Sequence, residues 1–132
     1  MIDADTKAKL FAAAKAAKEN AYVPYSNFRV GAAILLSDGT IETGCNVENA
    51  SYGAAICAER TALTKITSNG RRDVVAICVT GDTDDVITPC GICRQFIFEF
   101  GDDIPVICTN KDGEEMELTI NELLPHGFRL EI

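Results

Sequence analysis

The sequence has 132 residues, of which 47% are hydrophobic and 24% are charged. This length and balance are typical of one globular domain, residues 1–132, whose core is large enough to fold without disulfide bonds. The formal net charge is −8, and the twelve lysines and arginines are scattered along the chain. Because nucleic-acid binding needs clustered cations that displace counterions from phosphates, this pattern argues against a nucleic-acid partner.

The sequence pattern also argues against a targeting signal or a membrane span. The first residues are acidic and lack the apolar stretch of a signal peptide. No apolar run approaches the roughly 18 residues that a membrane-spanning helix requires. We therefore expect a cytoplasmic protein with no membrane partner, in which the six cysteines have a role other than disulfide bonding.

Hydrophobic spacing and turn residues predict nine elements in the order α-β-β-α-β-α-β-β-α. The first helix is predicted over residues 3 to about 21, where Leu10, Ala14 and Ala17 recur at helical spacing. The Asp38-Gly39 dipeptide predicts a hairpin turn between two strands. The other predicted elements are strands over 30–36 and 40–47, a helix over 54–68, a strand over 74–80, a helix from the Thr88-Pro89 cap to 101, strands over 104–109 and 115–118, and a short helix from a capping box at Thr119 and Glu122.

The order of these elements predicts the fold class. The strand over 74–80 is continuously apolar, as expected of a strand that is buried on both faces. A helix connects it to the strand over 104–109, and such a crossover makes the two strands parallel. We therefore predict an α/β fold, a three-layer α-β-α sandwich around a five-stranded mixed sheet with helices on both faces.

Two short cysteine motifs carry the strongest functional signal. Cys57 precedes Glu59 by two residues, and Cys90 and Cys93 form a C-x-x-C pair after Pro89. Both motifs fall at predicted helix starts, where the helix dipole stabilises the thiolates that bind metal ions. Three cysteine ligands leave one position of a tetrahedral zinc site open, which is the catalytic arrangement. Glu59 is then placed to act on zinc-activated water without being a ligand.

Other interpretations of the same motifs stay open on the residues alone. Cys90 and Cys93 by themselves fit a thioredoxin-like redox pair equally well, because they lie beside a β-α-β pattern. A protein that only binds zinc is a further alternative. The presence of Cys57 and Glu59 favours the catalytic zinc site, because dithiol exchange needs neither residue.

Several residues outside these motifs have ordinary structural interpretations. Phe28 at a strand start is typical of a core residue, and Asn46 and Glu48, which alternate on one strand face, are typical of a solvated edge. His126 is the single histidine and is predicted in a surface loop. The other cysteines lie in predicted strands and are interpreted as buried small hydrophobic residues: Cys45, Cys78 and Cys108.

Taken together, the motifs resemble the zinc nucleoside and nucleobase deaminases, in the all-cysteine version of the small homotetrameric cytidine deaminases. The resemblance extends over nearly the whole chain and does not depend on the C-x-x-C pair alone. The matching motifs are Pro24-Tyr25-Ser26-Asn27-Phe28-Arg29-Val30-Gly31-Ala32, Gly44-Cys45-Asn46-Val47-Glu48-Asn49-Ala50-Ser51-Tyr52, Cys57-Ala58-Glu59-Arg60-Thr61-Ala62, Thr88-Pro89-Cys90, Cys93-Arg94-Gln95 and Glu122-Leu123-Leu124-Pro125.

The resemblance implies hydrolytic deamination of cytidine and 2′-deoxycytidine to uridine and 2′-deoxyuridine, with release of ammonia in pyrimidine salvage. One zinc ion per subunit is expected on Cys57, Cys90 and Cys93. Glu59 is expected to carry protons from water to the ring N3 and to the departing amine. Arg60, three residues after Cys57, is expected to donate hydrogen bonds to the sulfurs and to offset the charge of three thiolates.

The resemblance also implies how a free pyrimidine nucleoside would bind. The residues that match substrate contacts are Phe28, Asn46, Glu48, Tyr52, Ala58 and Phe128. Phe28 is expected to stack on the base, and Asn46 and Glu48 to hydrogen-bond the ribose 3′-hydroxyl. Tyr52 and the Ala58 amide match further contacts with the substrate. Phe128 matches an aromatic residue that reaches the nucleoside of an adjacent subunit, so we expect a homotetramer with shared active sites.

The C-terminal end departs from the pattern of the cytidine deaminases. The chain ends at Ile132, four residues after Phe128, whereas the cytidine deaminases have a longer tail. The short ending is similar to that of the blasticidin-S-type aminonucleoside deaminases, which share the zinc and glutamate motifs. Phe28, Tyr52 and the Asn46/Glu48 pair favour cytidine over that alternative.

Overall fold

A five-stranded mixed sheet with helices on both faces organises the chain in the computed structural model, which describes residues 2–132. The α/β class and the order of the nine predicted elements are confirmed. The helices are α1 (Ala4–Lys18), α2 (Ala58–Ser68), α3 (Gly91–Phe98) and α4 (Ile120–Leu123), and the strands are β1 (Val30–Leu36), β2 (Ile41–Cys45), β3 (Val74–Gly81), β4 (Pro105–Thr109) and β5 (Glu115–Thr119). None of these helices is long and apolar enough to cross a membrane.

The strand order in the sheet is β2-β1-β3-β4-β5. Strands β3 and β4 are parallel, with Val79 opposite Cys108, and every other neighbouring pair is antiparallel. The parallel pair is connected through α3, as the crossover argument predicted. The carboxyl end of β3 therefore leads directly into the segment that carries Cys90.

Each face of the sheet is covered by a different set of helices. On one face, Leu10 and Ala14 of α1 pack against a cluster that includes Ala33, Cys78 and Ile107. On the other face, Leu63 of α2 and Ile97 of α3 pack against side chains that include Ile34, Ile77 and Cys108. Cys78 and Cys108 are fully buried, which confirms their interpretation as small core residues, whereas Cys45 is only half-buried.

Gly44 lets helix α2 lie directly against strand β2. A Cβ atom at this position would lie 2.5 Å from the Ala62 nitrogen and 2.6 Å from the Ala58 oxygen, both in the backbone of α2. No side chain fits into this space, because real Cβ contacts are not that short. The close approach fixes the start of α2, where Cys57 and Glu59 lie.

Four predicted helix boundaries are wrong by a few residues, among them the end of α3, which lies at Phe98 rather than at residue 101. Helix α1 ends at Lys18, and the chain then turns so that the Tyr22 nitrogen donates to the Asn46 oxygen at 3.0 Å. Helix α2 begins at Ala58 rather than at residue 54, because a separate 3₁₀ turn covers Tyr52–Ala54. Helix α3 begins at Gly91 with Cys90 as its N-cap, because the Thr88 hydroxyl accepts from Arg94 instead of capping the helix.

Candidate active site

Three cysteine sulfurs come together where helices α2 and α3 begin. Cys57 is the N-cap of α2, Cys90 is the N-cap of α3, and Cys93 lies in the first turn of α3. Their Sγ atoms all lie within 4.8 Å of one another, and those of Cys57 and Cys90 are 3.7 Å apart. The fold therefore brings Cys57 to the distant Cys90 and Cys93 pair, at the positive ends of two helix dipoles.

The donor set and its spacing fit a zinc ion. Zinc–sulfur bonds of about 2.3 Å in a tetrahedral site place two sulfurs about 3.8 Å apart, close to the Cys57–Cys90 separation. Cys90 is exposed while Cys93 is buried, so the cluster lies at the boundary between the core and an open cavity. Cys57, Cys90 and Cys93 are thus positioned to bind a metal ion with one side facing that cavity.

Hydrogen bonding within the cluster favours a thiolate at Cys57. The neighbouring Cys93 thiol donates toward the Cys57 sulfur and, with help from Arg60 and against the effect of burial, lowers the pKa of Cys57 to about 5. The same contact raises the pKa of Cys93, because its proton is held between the two sulfurs. A thiolate is the form of cysteine that binds metal ions, so the cluster is prepared for one.

Arg60 lies against the cysteine cluster on the first turn of α2. Its Nη2 atom donates to the Cys57 sulfur at 3.5 Å, and this contact raises the pKa of the guanidinium. The Nε atom of Arg60 is buried and makes no hydrogen bond within residues 2–132. Arg60 therefore faces the thiols rather than the solvent, so that a fixed positive charge lies beside them.

Glu59 is the buried carboxyl group of the site. Its residue is only 4% exposed, and this burial raises the pKa of Glu59 to about 7, with a further contribution from the nearby Cys57. A carboxyl group with such a pKa exchanges protons readily near neutral pH. Glu59 follows Cys57 by two residues, so the start of α2 supplies both a sulfur ligand and a proton carrier.

Glu59 and two of the cysteines line one cavity of about 390 Å³. A cavity of this size is within the range that small-molecule ligands occupy. Of the predicted substrate contacts, Phe28, Asn46 and Ala58 lie in its wall. The full set of lining residues is Phe28, Val30, Asn46, Cys57, Ala58, Glu59, Val79, Ile87, Thr88 and Cys90.

Asn46 joins the wall of this cavity to the start of strand β1. Its Nδ2 atom donates to the Phe28 oxygen at 2.8 Å, and its Oδ1 atom accepts from the Val30 nitrogen at 2.9 Å. Each amide atom keeps one further hydrogen-bonding position. The side chain is therefore held in one orientation rather than forming the solvated edge that its sequence position alone suggested.

Glu48 and Tyr52 line a neighbouring cavity of about 320 Å³ instead. The Glu48 carboxylate accepts from the backbone nitrogens of Tyr25 and Ser26, at 2.9 Å and 3.2 Å, and from the Ser26 hydroxyl. The Ser26 hydroxyl bond lowers the pKa of Glu48. The Tyr52 ring meets the Tyr25 ring edge to face at 5.9 Å between centroids. Within one chain, these two residues are not brought into the Glu59 cavity.

Phe128 points away from the cavity and into solvent. Its backbone oxygen accepts from Gln95 Nε2 at 3.1 Å, so the segment follows α3 while the ring stays exposed. Because the Phe128 residue is 66% exposed, its ring is not part of the core of its own chain. His126 lies in the adjacent exposed loop with φ 59°, as predicted.

Arg94 is a structural residue of the site that the sequence analysis did not single out. Its guanidinium donates to the Pro89 oxygen at 2.8 Å, the Leu123 oxygen at 2.9 Å and the Thr88 hydroxyl at 3.0 Å. These bonds hold the segment just before Cys90 against the end of α4. The sequence did contain a signal for Arg94, because this residue directly follows Cys93 within one of the matching motifs. The sequence analysis did not identify Ile87 and Thr88 as cavity-lining residues, because residues of an irregular loop show no periodic pattern.

Comparisons with known proteins agree with this geometry. Residues 4–109 match the family model described as the cytidine and deoxycytidylate deaminase zinc-binding region. A cytidine deaminase of Halalkalibacterium halodurans is 54% identical over 116 residues, covering 87% of this chain and 88% of the relative. The crystal structure of a cytidine deaminase from Burkholderia pseudomallei has a TM-score of 0.89 at 49% identity, covering 92% and 98% of the two chains. That of the Mycobacterium tuberculosis cytidine deaminase has a TM-score of 0.82 at 37% identity, covering 98% and 100%.

Proposed function

Because this chain belongs to the cytidine and deoxycytidylate deaminase family, we propose that it hydrolyses cytidine and 2′-deoxycytidine to the uridine products and ammonia. The observation that carries the proposal is a cluster of three thiols, two of which line one cavity together with the buried Glu59 carboxyl group and Phe28. We propose that residues 1–132 act together as one deaminase domain.

The cofactor of the reaction is one zinc ion per subunit, held by Cys57, Cys90 and Cys93. When bound, it supplies Lewis acidity at the open side of the cysteine cluster. The three cysteines would hold the ion where the two helices begin, and Arg60, which donates to the Cys57 sulfur, would offset part of the thiolate charge. The Glu59 carboxyl group remains outside the ligand set, free for proton transfer.

Glu59 carries the protons of the reaction. It accepts a proton from the attacking water and delivers it to N3 of the pyrimidine, so that the water oxygen adds to C4. It then takes the proton of the new C4 hydroxyl group and passes it to the departing amino group, which leaves as ammonia while the C4 carbonyl of uridine forms. The raised pKa of Glu59 supports this role, because an acid–base group works best when its pKa is near the working pH.

The nucleoside is held by residues of the Glu59 cavity and of the neighbouring cavity that Glu48 and Tyr52 line. Phe28 packs on the base, and the Ala58 amide, in the first turn of α2, has no partner within its helix and donates to the substrate. Asn46 and Glu48 hydrogen-bond the ribose with the positions that their backbone contacts leave unused. Tyr52 completes the pocket beside Glu48.

We propose that the protein assembles into a homotetramer with shared active sites. The exposed side chains of Phe128, Leu130 and Ile132 follow one another along the C-terminal end. A further groove of about 810 Å³ runs along α2 and α3 and includes Ile92, Phe96 and Phe100. Exposed apolar surface of this extent is typical of an interface. The free state of all six cysteines supports a cytoplasmic location, where thiols stay reduced.

A substrate panel tests the proposed reaction. The purified protein is incubated with cytidine, 2′-deoxycytidine and blasticidin S, and ammonia release is measured with the loss of the cytidine absorbance at 280 nm. We expect turnover of the first two nucleosides. A preference for blasticidin S would overturn the substrate assignment, and bound zinc without turnover of any substrate would indicate a protein that only binds the metal.

Sedimentation and a Phe128→Ala variant test the assembly. We expect a tetramer at assay concentrations, and a KM for cytidine that rises in the variant more than kcat falls. A monomer that remains fully active on dilution would overturn the shared-site proposal.

A further inference from the structure

Phe28 lies just beyond the end of the backbone ladder between β1 and β3. The last antiparallel pair is Val30 opposite Gly81, so the next opposed positions are Arg29 and Asp82. The Phe28 residue is 42% exposed, and Asn27 before it adopts a φ of 58°, a left-handed conformation that costs free energy for residues other than glycine. The ring that lines the Glu59 cavity therefore depends on contacts outside the ladder.

An ion pair continues the strand pairing where the backbone bonds stop. Arg29 Nε donates to Asp82 Oδ2 at 2.8 Å, and Arg29 Nη1 lies 2.8 Å from Glu19 Oε2. The other Asp82 oxygen accepts from Lys18, which is only 4% exposed at the end of α1. Asp82 thus joins the entry of β1 to the exit of β3 and to the end of α1.

This network and the Phe28 ring lie on opposite sides of the same backbone. Consecutive residues of an extended chain point in opposite directions, so Arg29 faces α1 while Phe28 faces the cavity. A Cβ atom on Gly81 would lie 3.7 Å from Phe28 Cζ and 3.0 Å from Ile87 Cδ1. The Phe28 ring therefore packs close to the Gly81 backbone at the end of β3. A displacement of the Arg29 backbone would therefore also shift the adjacent Phe28 ring relative to Gly81.

We propose that the ion network of Lys18, Asp82 and Arg29 positions the Phe28 ring for the nucleobase. The inference rests on the proposed function, since it assumes that Phe28 contacts the base of a nucleoside. Arg29 is a positioning residue, because it does not line the cavity and acts only through its neighbour. The cysteines and Glu59 lie on other elements, so loss of the network should weaken base binding without disturbing the reacting groups.

The test compares Arg29→Met with Arg71→Met. Arg71 is a matched control, because it also pairs with two carboxylates, Asp38 and Asp73, and its side chain is 32% exposed against 37% for Arg29. For Arg29→Met we expect KM for cytidine to rise about three- to tenfold, the range that an aromatic packing contact is worth, with kcat within about twofold. The control should keep both constants, and both variants should keep their zinc content.

Repeating the Arg29→Met substitution in a Phe28→Leu variant distinguishes a positioning role of Arg29 from a general loss of stability. If Arg29 acts through the ring, adding Arg29→Met to Phe28→Leu should change KM by less than about twofold, because coupled residues are not additive. An unchanged KM in Arg29→Met, or an equal rise in both backgrounds, would overturn the positioning role alone. Absence of cytidine turnover in the unaltered protein would instead overturn the proposed function, and with it the premise of this inference.

Discussion

The Cys57 and Cys90 sulfurs lie 3.7 Å apart although the two residues are 33 positions apart in the chain. Each residue immediately precedes a helix, so the distance between the sulfurs is set by how α2 and α3 pack on the same face of the sheet. The metal site is thus a property of the core packing as well as of the cysteines themselves. A change that shifts either helix start should open the cluster.

Replacement of one cluster cysteine should remove the metal. We expect Cys90→Ser to lose most of its bound zinc and its deaminase activity, because two thiols cannot hold the ion as firmly as three. Cys45→Ser is the control, since Cys45 is also a free cysteine but lies outside the cluster. Zinc content by atomic emission and cytidine turnover check both variants. Full zinc occupancy in Cys90→Ser would contradict the assignment of the ligands.

A methyl group at Gly44 should disturb the same site by displacing helix α2. In Gly44→Ala the new Cβ atom would meet the α2 backbone at 2.5 Å and 2.6 Å, so α2 must move away from β2. We expect a loss of about 1–3 kcal/mol in the free energy of unfolding, as for other overpacked sites, together with weaker zinc retention. Urea unfolding and zinc titration measure the two effects.

Gly101→Ala serves as the control for that variant. A Cβ atom there would lie 3.4 Å from Ile104 side-chain atoms, an ordinary contact. Its stability should stay within about 0.5 kcal/mol of the unaltered protein. An equal loss in both variants would mean that the close approach of α2 and β2 has no special role.

Most of the fold could be predicted from the sequence, because its signals are local. The Asp38-Gly39 turn, the apolar run of β3 and the capping box at Thr119 each report on a few neighbouring residues, and all three are present in the structure. Helix starts were less predictable. Thr88 has the side chain of an N-cap, but Arg94 competes for its hydroxyl from the next turn, and this competition is visible only in three dimensions.

In the candidate site, too, the residues with local sequence signals could be predicted and those that depend on three-dimensional contacts could not. Cys57 with Glu59, and Cys90 with Cys93, could be predicted as two pairs, because spacing at one helix start fixes each pair. The meeting of the two pairs depends on how α2 and α3 pack. The backbone contacts of Asn46 and Glu48 could not, since these residues hold a turn that lies about twenty positions earlier in the chain. Phe28 was ambiguous from its own position, because its place in the cavity wall depends on the end of β3.

Asp82 should make the stability of the protein depend on acid pH. Hydrogen bonds from Lys18 and Arg29 hold the pKa of Asp82 below its usual value of 3.8. A carboxyl group with a lowered folded-state pKa stabilises the fold above its unfolded pKa, and this contribution is lost as the pH falls through the folded-state value. At pH 7, Asp82→Asn leaves the buried Lys18 without its partner, and we expect a loss of about 1–2 kcal/mol, reduced from that of a fully buried pair by the partial exposure of Asp82.

The difference in unfolding free energy between Asp82→Asn and the unaltered protein should shrink as the pH falls below 3.8, because Asp82 is then protonated first in the unfolded state and, at lower pH, in the folded state as well. Urea unfolding of both proteins at pH 7 and pH 3 measures this difference in stability. Asp84→Asn is the control, since Asp84 pairs with Lys111 at an exposed position and the substitution should leave the stability nearly unchanged at either pH. A difference for Asp82→Asn that stays constant from pH 7 to pH 3 would contradict the ion-pair explanation.

Glu59→Gln should separate proton transfer from metal binding. Glutamine has the same shape but cannot exchange a proton, so we expect normal zinc content and a fall in kcat of about 10²–10⁴-fold. The variant should fold as stably as the unaltered protein, because an uncharged group replaces a buried acid. Turnover at a near-normal rate would exclude Glu59 as the proton carrier.

Arg60→Ala should lower kcat without removing the cofactor. Three thiolates on Zn²⁺ leave the ligand set with a formal charge of −1, and this extra electron density makes the ion a poorer Lewis acid. Arg60 donates to the Cys57 sulfur at 3.5 Å and withdraws part of that charge, since a guanidinium stays protonated at any working pH. We expect kcat to fall about 10–100-fold, as for other residues that support metal ligands.

A second substitution tests whether charge is the reason for that loss. Cys57→His restores a neutral ligand set, so adding it to Arg60→Ala should recover part of kcat, whereas a loss that came only from packing would not respond. Zinc content is measured alongside kcat in the single and double variants, so that loss of metal is not mistaken for loss of rate. An Arg60→Ala enzyme with unchanged kcat and unchanged zinc content would mean that the contact with Cys57 does not tune the metal site, and that the two helix dipoles suffice to balance the three thiolates.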